Sequence, residues 1–164
     1  MSLNNKNAFY IILFVLTMAS SSFAWNGRVV GVSDGDTIKV LTEDKRLVKI
    51  RLYGIDCPEK RQAFGKRAKW FCSDLVFGRE VEVEPIAQDR WGRTIALIYR
   101  GSLCLNEEMV ASGYAWVFAK YCKKTICQKW YRLQKEARKA RIGLWKDPRP
   151  VSPWVWRKAK RRKR

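Results

Sequence analysis

Four acidic residues fall in two short clusters, Asp34 with Asp36 and Asp56 with Glu59, inside the stretch SDGDTIKVLTEDKRLVKIRLYGIDCPE at residues 33–59. Carboxylates gathered at one point repel and raise one another's pKa unless a cation joins them. The chain has no His, so oxygen ligands for calcium or magnesium fit, and a zinc, copper or haem site does not. Whether the clusters meet depends on the segment between them. Residues 37–41 and 46–53 alternate like two strands of a hairpin, with Val48, Ile50 and Leu52 on one face and Lys49, Arg51 and Tyr53 on the other. A fold about Asp44 and Lys45 sets Asp36 nearly opposite Tyr53, and Asp56 and Glu59 emerge at the same end. That register turns Arg51 toward Asp36, and a slip of one residue would reverse it. The plain alternative is a DGD turn and a surface loop around Pro58.

A chain of 164 residues is sized for one domain with a sizeable core. Residues 9–19, FYIILFVLTMA, follow Lys6 and precede SSSFA, the layout of a signal peptide cleaved after Ala24. The run is short for a bilayer span, so an exported mature chain is expected, periplasmic or secreted, rather than an uncleaved anchor. Lys and Arg number 34 against 15 acids, a net charge of +19. Without Lys6 and the seven bases of residues 157–164, 26 bases still face 15 acids, a net +11. Nucleic acid is therefore the favoured polyanionic partner, ahead of anionic lipid or glycan, because carboxylates interrupt the basic field at one place.

The remaining elements must hold those acids in place. Residues 25–32 form a first strand ahead of the hairpin. A helix is expected over 62–77 with Phe64, Ala68, Phe71 and Leu75 along one face, then a strand over 80–84 that stops by Pro85, and another over 94–99. Helices follow over 103–112 and 128–142. Three strands, a helix, two strands and two helices describe an α+β protein, a five-stranded OB-type Greek-key β-barrel with about three α-helices. The expected organisation is a signal peptide at 1–24, one domain at 25–146 and a tail at 147–164. Prolines in DPRPVSP disfavour helix in that tail, and its last basic run is expected to stay solvated. Docking on the barrel is favoured over base stacking for Trp154 and Trp156. Five cysteines in an exported chain leave one unpaired. Cys122 and Cys127 enclose a loop short enough for a local bridge, Cys72 and Cys104 either pair or stay reduced, and Cys57 is the odd one beneath the acids.

DGDT at 34–37, RLYGIDCPE at 51–59 and DRWGRT at 89–94 resemble the motifs of the staphylococcal nuclease family, over about residues 26–146. The resemblance implies the same barrel and an exported, Ca2+-dependent, sugar-nonspecific nuclease. Its products would be 3′-phosphorylated fragments of DNA and RNA, with single-stranded or unwound substrate preferred. Asp36 and Asp56 are the expected metal carboxylates with the backbone carbonyl of Cys57, and Asp34 is expected nearby through water. Arg51, beside the acids, and Arg93, matching the family's second active-site arginine, are expected to meet phosphate oxygens as planar donor forks. Glu59 is the residue expected to position the attacking water. Arg90, Trp91 and Tyr121 are expected to bind substrate. Trp91 replaces a family Tyr but keeps an aromatic face, whereas Ala119 falls where another nucleotide-binding tyrosine is expected. A monomer without a stable protein partner is expected. The competing readings are a non-catalytic OB-type nucleic-acid-binding module and a basic envelope protein for anionic lipid or glycan.

Overall fold

A computed structural model describes residues 23–162. The expected signal peptide, apart from Phe23 and Ala24, lies outside the described residues. Five long strands carry the barrel: β1 Trp25–Asp34, β2 Thr37–Thr42, β3 Leu47–Leu52, β5 Glu80–Gln88 and β6 Thr94–Arg100. They run in the order β3-β2-β1-β5-β6, with the short β7 Leu103–Cys104 added beside β6, and a parallel pairing of β3 with β6 closes the barrel. Two-residue strands β4 Ile55–Asp56 and β8 Trp116–Val117 make a separate pair. The α+β OB-type barrel expected from the order of elements is thus the fold observed.

Alternation explains the core. Val29, Ile38, Val40, Ile50, Val83 and Ile98 point inward from the strands with no exposed surface. Helix α1, Gly65–Val76, closes the barrel with Gly65, Ala68, Cys72 and Val76, an i, i+4 row with Gly65 at its start. Helix α2, Leu105–Ala111, buries Leu105 and Met109, and α3, Ile126–Lys139, buries Trp130. Among the described residues no helix is long and apolar enough to cross a membrane.

Three details differ from the sequence reading. The hairpin register is displaced by one residue, pairing Thr37 with Arg51 and Ile38 with Ile50, because burying Ile38, Val40 and Ile50 on the barrel side outweighs the symmetry of the turn. Tyr53, expected on the outer face with Lys49 and Arg51, lies just past the end of β3 and is buried against Trp130, and its hydroxyl accepts the backbone N–H groups of Lys123 and Lys124 at 2.8 and 3.0 Å. Strand β5 passes through Pro85 to Gln88, with an irregularity between Pro85 and Ala87, the kind of bulge that tolerates a missing donor.

The third difference is a fourth helix. Residues expected to lack helix form α4, Pro153–Arg162. Pro153 occupies the first turn, where a missing N–H costs nothing and a fixed φ helps. The N–H of Trp156 reaches the Ser152 carbonyl at 3.0 Å. Trp154 stacks on Phe118 with centroids 5.0 Å apart and planes at 4°, and meets Trp116 edge-on at 5.7 Å, so it is docked as expected.

The candidate active site: an acid pair bridged by arginine

Two tight backbone arrangements bring the acids together. The DGD turn places Asp36 just before β2, where its carbonyl accepts the N–H of Leu52 at 2.9 Å and the side chain of Asp34 accepts the N–H of Asp36 at 3.2 Å. After β3, Gly54 turns at φ 71°, and a Cβ there would press on Cys122 Sγ and the Trp130 ring. The chain then enters β4, where Asp56 is the register partner of Trp116. A carbon on Gly65 would run into the Glu59 carbonyl, so only glycine lets α1 begin against the loop that carries Glu59.

The resulting site is mostly closed to solvent. Asp36 is 4% exposed and Asp56 is 1% exposed. Asp36 Oδ2 accepts the N–H of Cys57 at 2.6 Å, and its Oδ1 accepts the Thr37 hydroxyl at 3.3 Å. Arg51 bridges the pair: Nη1 meets Asp36 Oδ1, and Nη2 donates to Asp56 Oδ1 at 2.8 Å and to the Ile55 carbonyl at 3.3 Å. Arg51 lies opposite Thr37 rather than Asp36, yet its length and the position of Asp36 at the strand end still allow the contact. Cys57 is buried under the cluster, with Ala68 and Gly35 against it. Burial pushes its thiol well above the ordinary cysteine pKa.

A residue that sequence reasoning left in the tail completes the cluster. Arg157 of α4 donates from Nη2 to Asp56 Oδ2 at 2.7 Å, and from Nη1 to Asp56 Oδ1 at 3.2 Å and Glu59 Oε1 at 2.7 Å. Burial pulls its pKa down, but hydrogen bonds and charge from Asp56 and Glu59 raise it further, for a net upward shift. Gln62 was also missed. Its side-chain oxygen accepts the N–H of Glu59 at 3.1 Å, and its amide donates to the Val151 carbonyl at 2.6 Å. The signal for Arg157 was Ser-Pro at 152–153, a helix start set among prolines.

Arg90, Trp91 and Arg93 form a separate group. Asp89 folds the turn before β6 on itself: its Oδ1 accepts the N–H groups of Trp91 and Arg93 at 2.9 and 3.0 Å, and its Oδ2 receives Arg93 Nε at 2.7 Å. Burial raises the Asp89 pKa, but these hydrogen bonds and the Arg93 charge outweigh it and hold the group below the usual carboxylate value. Arg90 and Arg93 sit 4.3 and 5.2 Å from the Trp91 ring centre, and Trp91 is 66% exposed. Thr94 pairs with Ile50, so Arg93 lies level with Lys49, two residues behind Arg51. Tyr121 is exposed, edge-on to Phe118 at 5.0 Å. Cys122 and Cys127 are joined by a disulfide, while Cys57, Cys72 and Cys104 are free.

The donor set fits a hard cation only in part through side chains. Among the described residues no group of three His, Cys, Asp or Glu side chains gathers to hold a metal. Asp36 and Asp56 do lie close enough for one guanidinium to span both. Two buried carboxylates with backbone carbonyl, water and phosphate oxygens make an oxygen shell of the kind calcium accepts.

The family model of staphylococcal nuclease homologues matches residues 49–147. A micrococcal nuclease of Shigella flexneri is 42% identical over 158 residues, covering 91% of this chain and 88% of that protein. An uncharacterized endonuclease of Haemophilus influenzae is 38% identical over 148 residues, covering 90% and 82%. The staphylococcal-like nuclease CAN1 of Arabidopsis thaliana is 39% identical over 113 residues, 69% of this chain and 34% of that longer protein. The match to this family and the likeness to these relatives, carried on a closed OB-type barrel, define the class as nuclease, a phosphodiester hydrolase. The chain belongs to the family of staphylococcal nuclease homologues.

Proposed function

We propose that this protein is an exported, calcium-dependent, sugar-nonspecific nuclease that cuts unwound DNA and RNA at the P–O5′ bond and leaves 3′-phosphate ends. The observation that carries the reading is the pair Asp36 and Asp56, both almost inaccessible and both bridged by Arg51 beside Glu59. Asp36, Asp56 and the Cys57 carbonyl would hold the ion, with Asp34 supporting the Asp36 backbone. The ion's chemistry there is Lewis-acid stabilisation of charge on a phosphoryl oxygen and an easier deprotonation of water.

The chain's own groups do the rest. Arg51 offers a planar fork to the phosphoryl oxygens, already oriented by two carboxylates. Glu59 is half-exposed beside Asp56, where its carboxylate can accept a hydrogen bond from the attacking water and fix its direction. Arg93 supplies a second fork from the exposed turn by exchanging Asp89 for phosphate. Arg90, Trp91 and Tyr121 then offer charge and aromatic faces to the flanking strand. The basic surface draws in the polyanion without reading sequence. The mature protein acts as a monomer in the periplasm or the medium.

The test is digestion of a single-stranded DNA oligonucleotide by the purified mature chain with calcium and then with chelator. Calcium-dependent cutting to 3′-phosphate ends, lost in Glu59→Gln with Arg93→Ala while binding persists, is the expected result. Tight binding with no cleavage under any divalent ion would instead establish a binding module.

A further inference from the structure

We propose that Arg157 is a positioning residue of the active site, and that α4 is the element that fixes the Glu59 carboxylate against Asp56. The inference rests on the nuclease reading above and extends it to a helix beyond the residues matched by the family model. Glu59 sits on a surface loop, and Arg157 is the partner its carboxylate has among the described residues. A lone exposed ion pair would be worth little. This one differs, because the same guanidinium takes both oxygens of Asp56, a side chain only 1% exposed. Bidentate charge-assisted bonds of this kind fix direction as well as distance. Glu59 is thereby tied to the acid proposed to hold the metal.

A second link runs from the same helix to the same residue. Gln62 bonds the Val151 carbonyl just before α4 and the Glu59 N–H with the two ends of one amide. The Gln62 N–H returns to the Glu59 carbonyl at 2.8 Å. Backbone and carboxylate of Glu59 therefore both depend on where α4 sits. The helix itself is anchored away from the acids, by burial of Ser152 and Pro153 and by Trp154 on Phe118. Charge points the same way: Arg51 pairs with Asp36 and Asp56, Glu59 pairs with Arg157, and the second guanidinium offsets part of the mutual repulsion of three acids.

The experiment compares wild type, Arg157→Ala and Arg157→Lys on single-stranded DNA at saturating calcium, with Arg149→Ala as a variant that removes one charge elsewhere. Arg157→Ala is expected to lose about tenfold to a hundredfold in kcat, the scale of other groups that orient a ligand or base, with KM unchanged. Arg157→Lys keeps a charge beside buried Asp56, so it folds if the alanine variant does not, and it is expected to recover only part of the rate. Low-millimolar guanidinium, against equal sodium chloride, is expected to restore Arg157→Ala but not Glu59→Gln. In the calcium-free protein, amide exchange over residues 57–62 is expected to speed up in Arg157→Ala.

A kcat equal to or above wild type in Arg157→Ala, or in Arg157→Lys where the former does not fold, overturns the proposal and makes α4 a plug on the site. Unchanged amide protection at 57–62 also overturns it, even if the wild type itself proves not to cut. Wild-type inactivity under every metal, with that protection lost in the variant, would remove the nuclease reading and leave the positioning of Glu59 intact.

Discussion

The acid cluster and the turn at 89–93 hold their arginines in opposite ways. Arg51 is locked between two buried carboxylates and a carbonyl, all of them on the barrel wall or the strand that follows it. Arg93 is held by one carboxylate four residues away, in a turn whose Trp91 is largely in solvent. Removing a partner from the first group strands buried charge, whereas removing one from the second frees a side chain to reach elsewhere. Under the proposed function, the first region stays fixed while substrate arrives, and the second exchanges its partner for phosphate.

The largest expected effect strikes the fixed region. Asp56→Ala leaves Arg51 and Arg157 without their shared acid, at a cost of about 3–5 kcal/mol of stability, measured by urea unfolding, together with loss of cleavage. A cost near zero would mean that the two arginines relax into solvent, and the contrast between the regions would disappear. Arg51→Lys is the finer test, because an ammonium keeps the charge but cannot span Asp36 and Asp56 as a fork. About a hundredfold loss of kcat with a near-native unfolding midpoint is expected, the scale of losing one preorganised donor. Wild-type turnover in that variant would show that charge alone suffices.

The two regions were also unequally legible before the fold was known. The barrel followed from the order of strands and helices, and the meeting of the acids from carboxylates flanking one hairpin, since the burial of Ile38, Val40 and Ile50 forces those ends together. The contact of Arg51 with Asp36 did not follow, because the register that turned it there is not the one observed. The exact register did not follow, because a two-faced hairpin with a polar turn at Asp44 and Lys45 accepts either parity until the core is packed. Arg157 was missed for a different reason. Its contact with Asp56 spans 101 residues of sequence, and it depends on a helix that the prolines at 148, 150 and 153 argue against but that Pro153 in fact starts. Gln62 was hidden because its amide links the nearby Glu59 N–H to the Val151 carbonyl, 89 residues away in sequence.

The exchangeable region gives a smaller, pH-dependent effect. Asp89 has a lowered pKa in the folded protein, so its contribution is present above the unfolded carboxylate value, about 3.9, and is lost as pH falls through the folded value. The turn should therefore be ordered at neutral pH and loosen only below about pH 4, seen as a shift of the Arg93 backbone amide resonance. Asp89→Asn should abolish that acid transition and cost about 1.5–3 kcal/mol, the range for hydrogen bonds to a charged acceptor. No acid shift in the wild type would show that the turn does not depend on the carboxylate charge.

The smallest effect concerns the free thiols, which sharpen the same contrast without touching the chemistry. Cys57 and Cys72 are buried, the first beneath the acid cluster, and burial raises both thiols, Cys72 to about 12. Cys104 is only partly buried, with its thiol also raised by burial. Thiolate is the reactive form, so at pH 8 in native protein a maleimide should label Cys104 first, and Cys57 and Cys72 only at the rate of unfolding. If the acid cluster were as open as the turn at 89–93, Cys57 would label alongside Cys104. Mass spectrometry of the labelled chain would then place the mobile region at the acids rather than at the arginine turn.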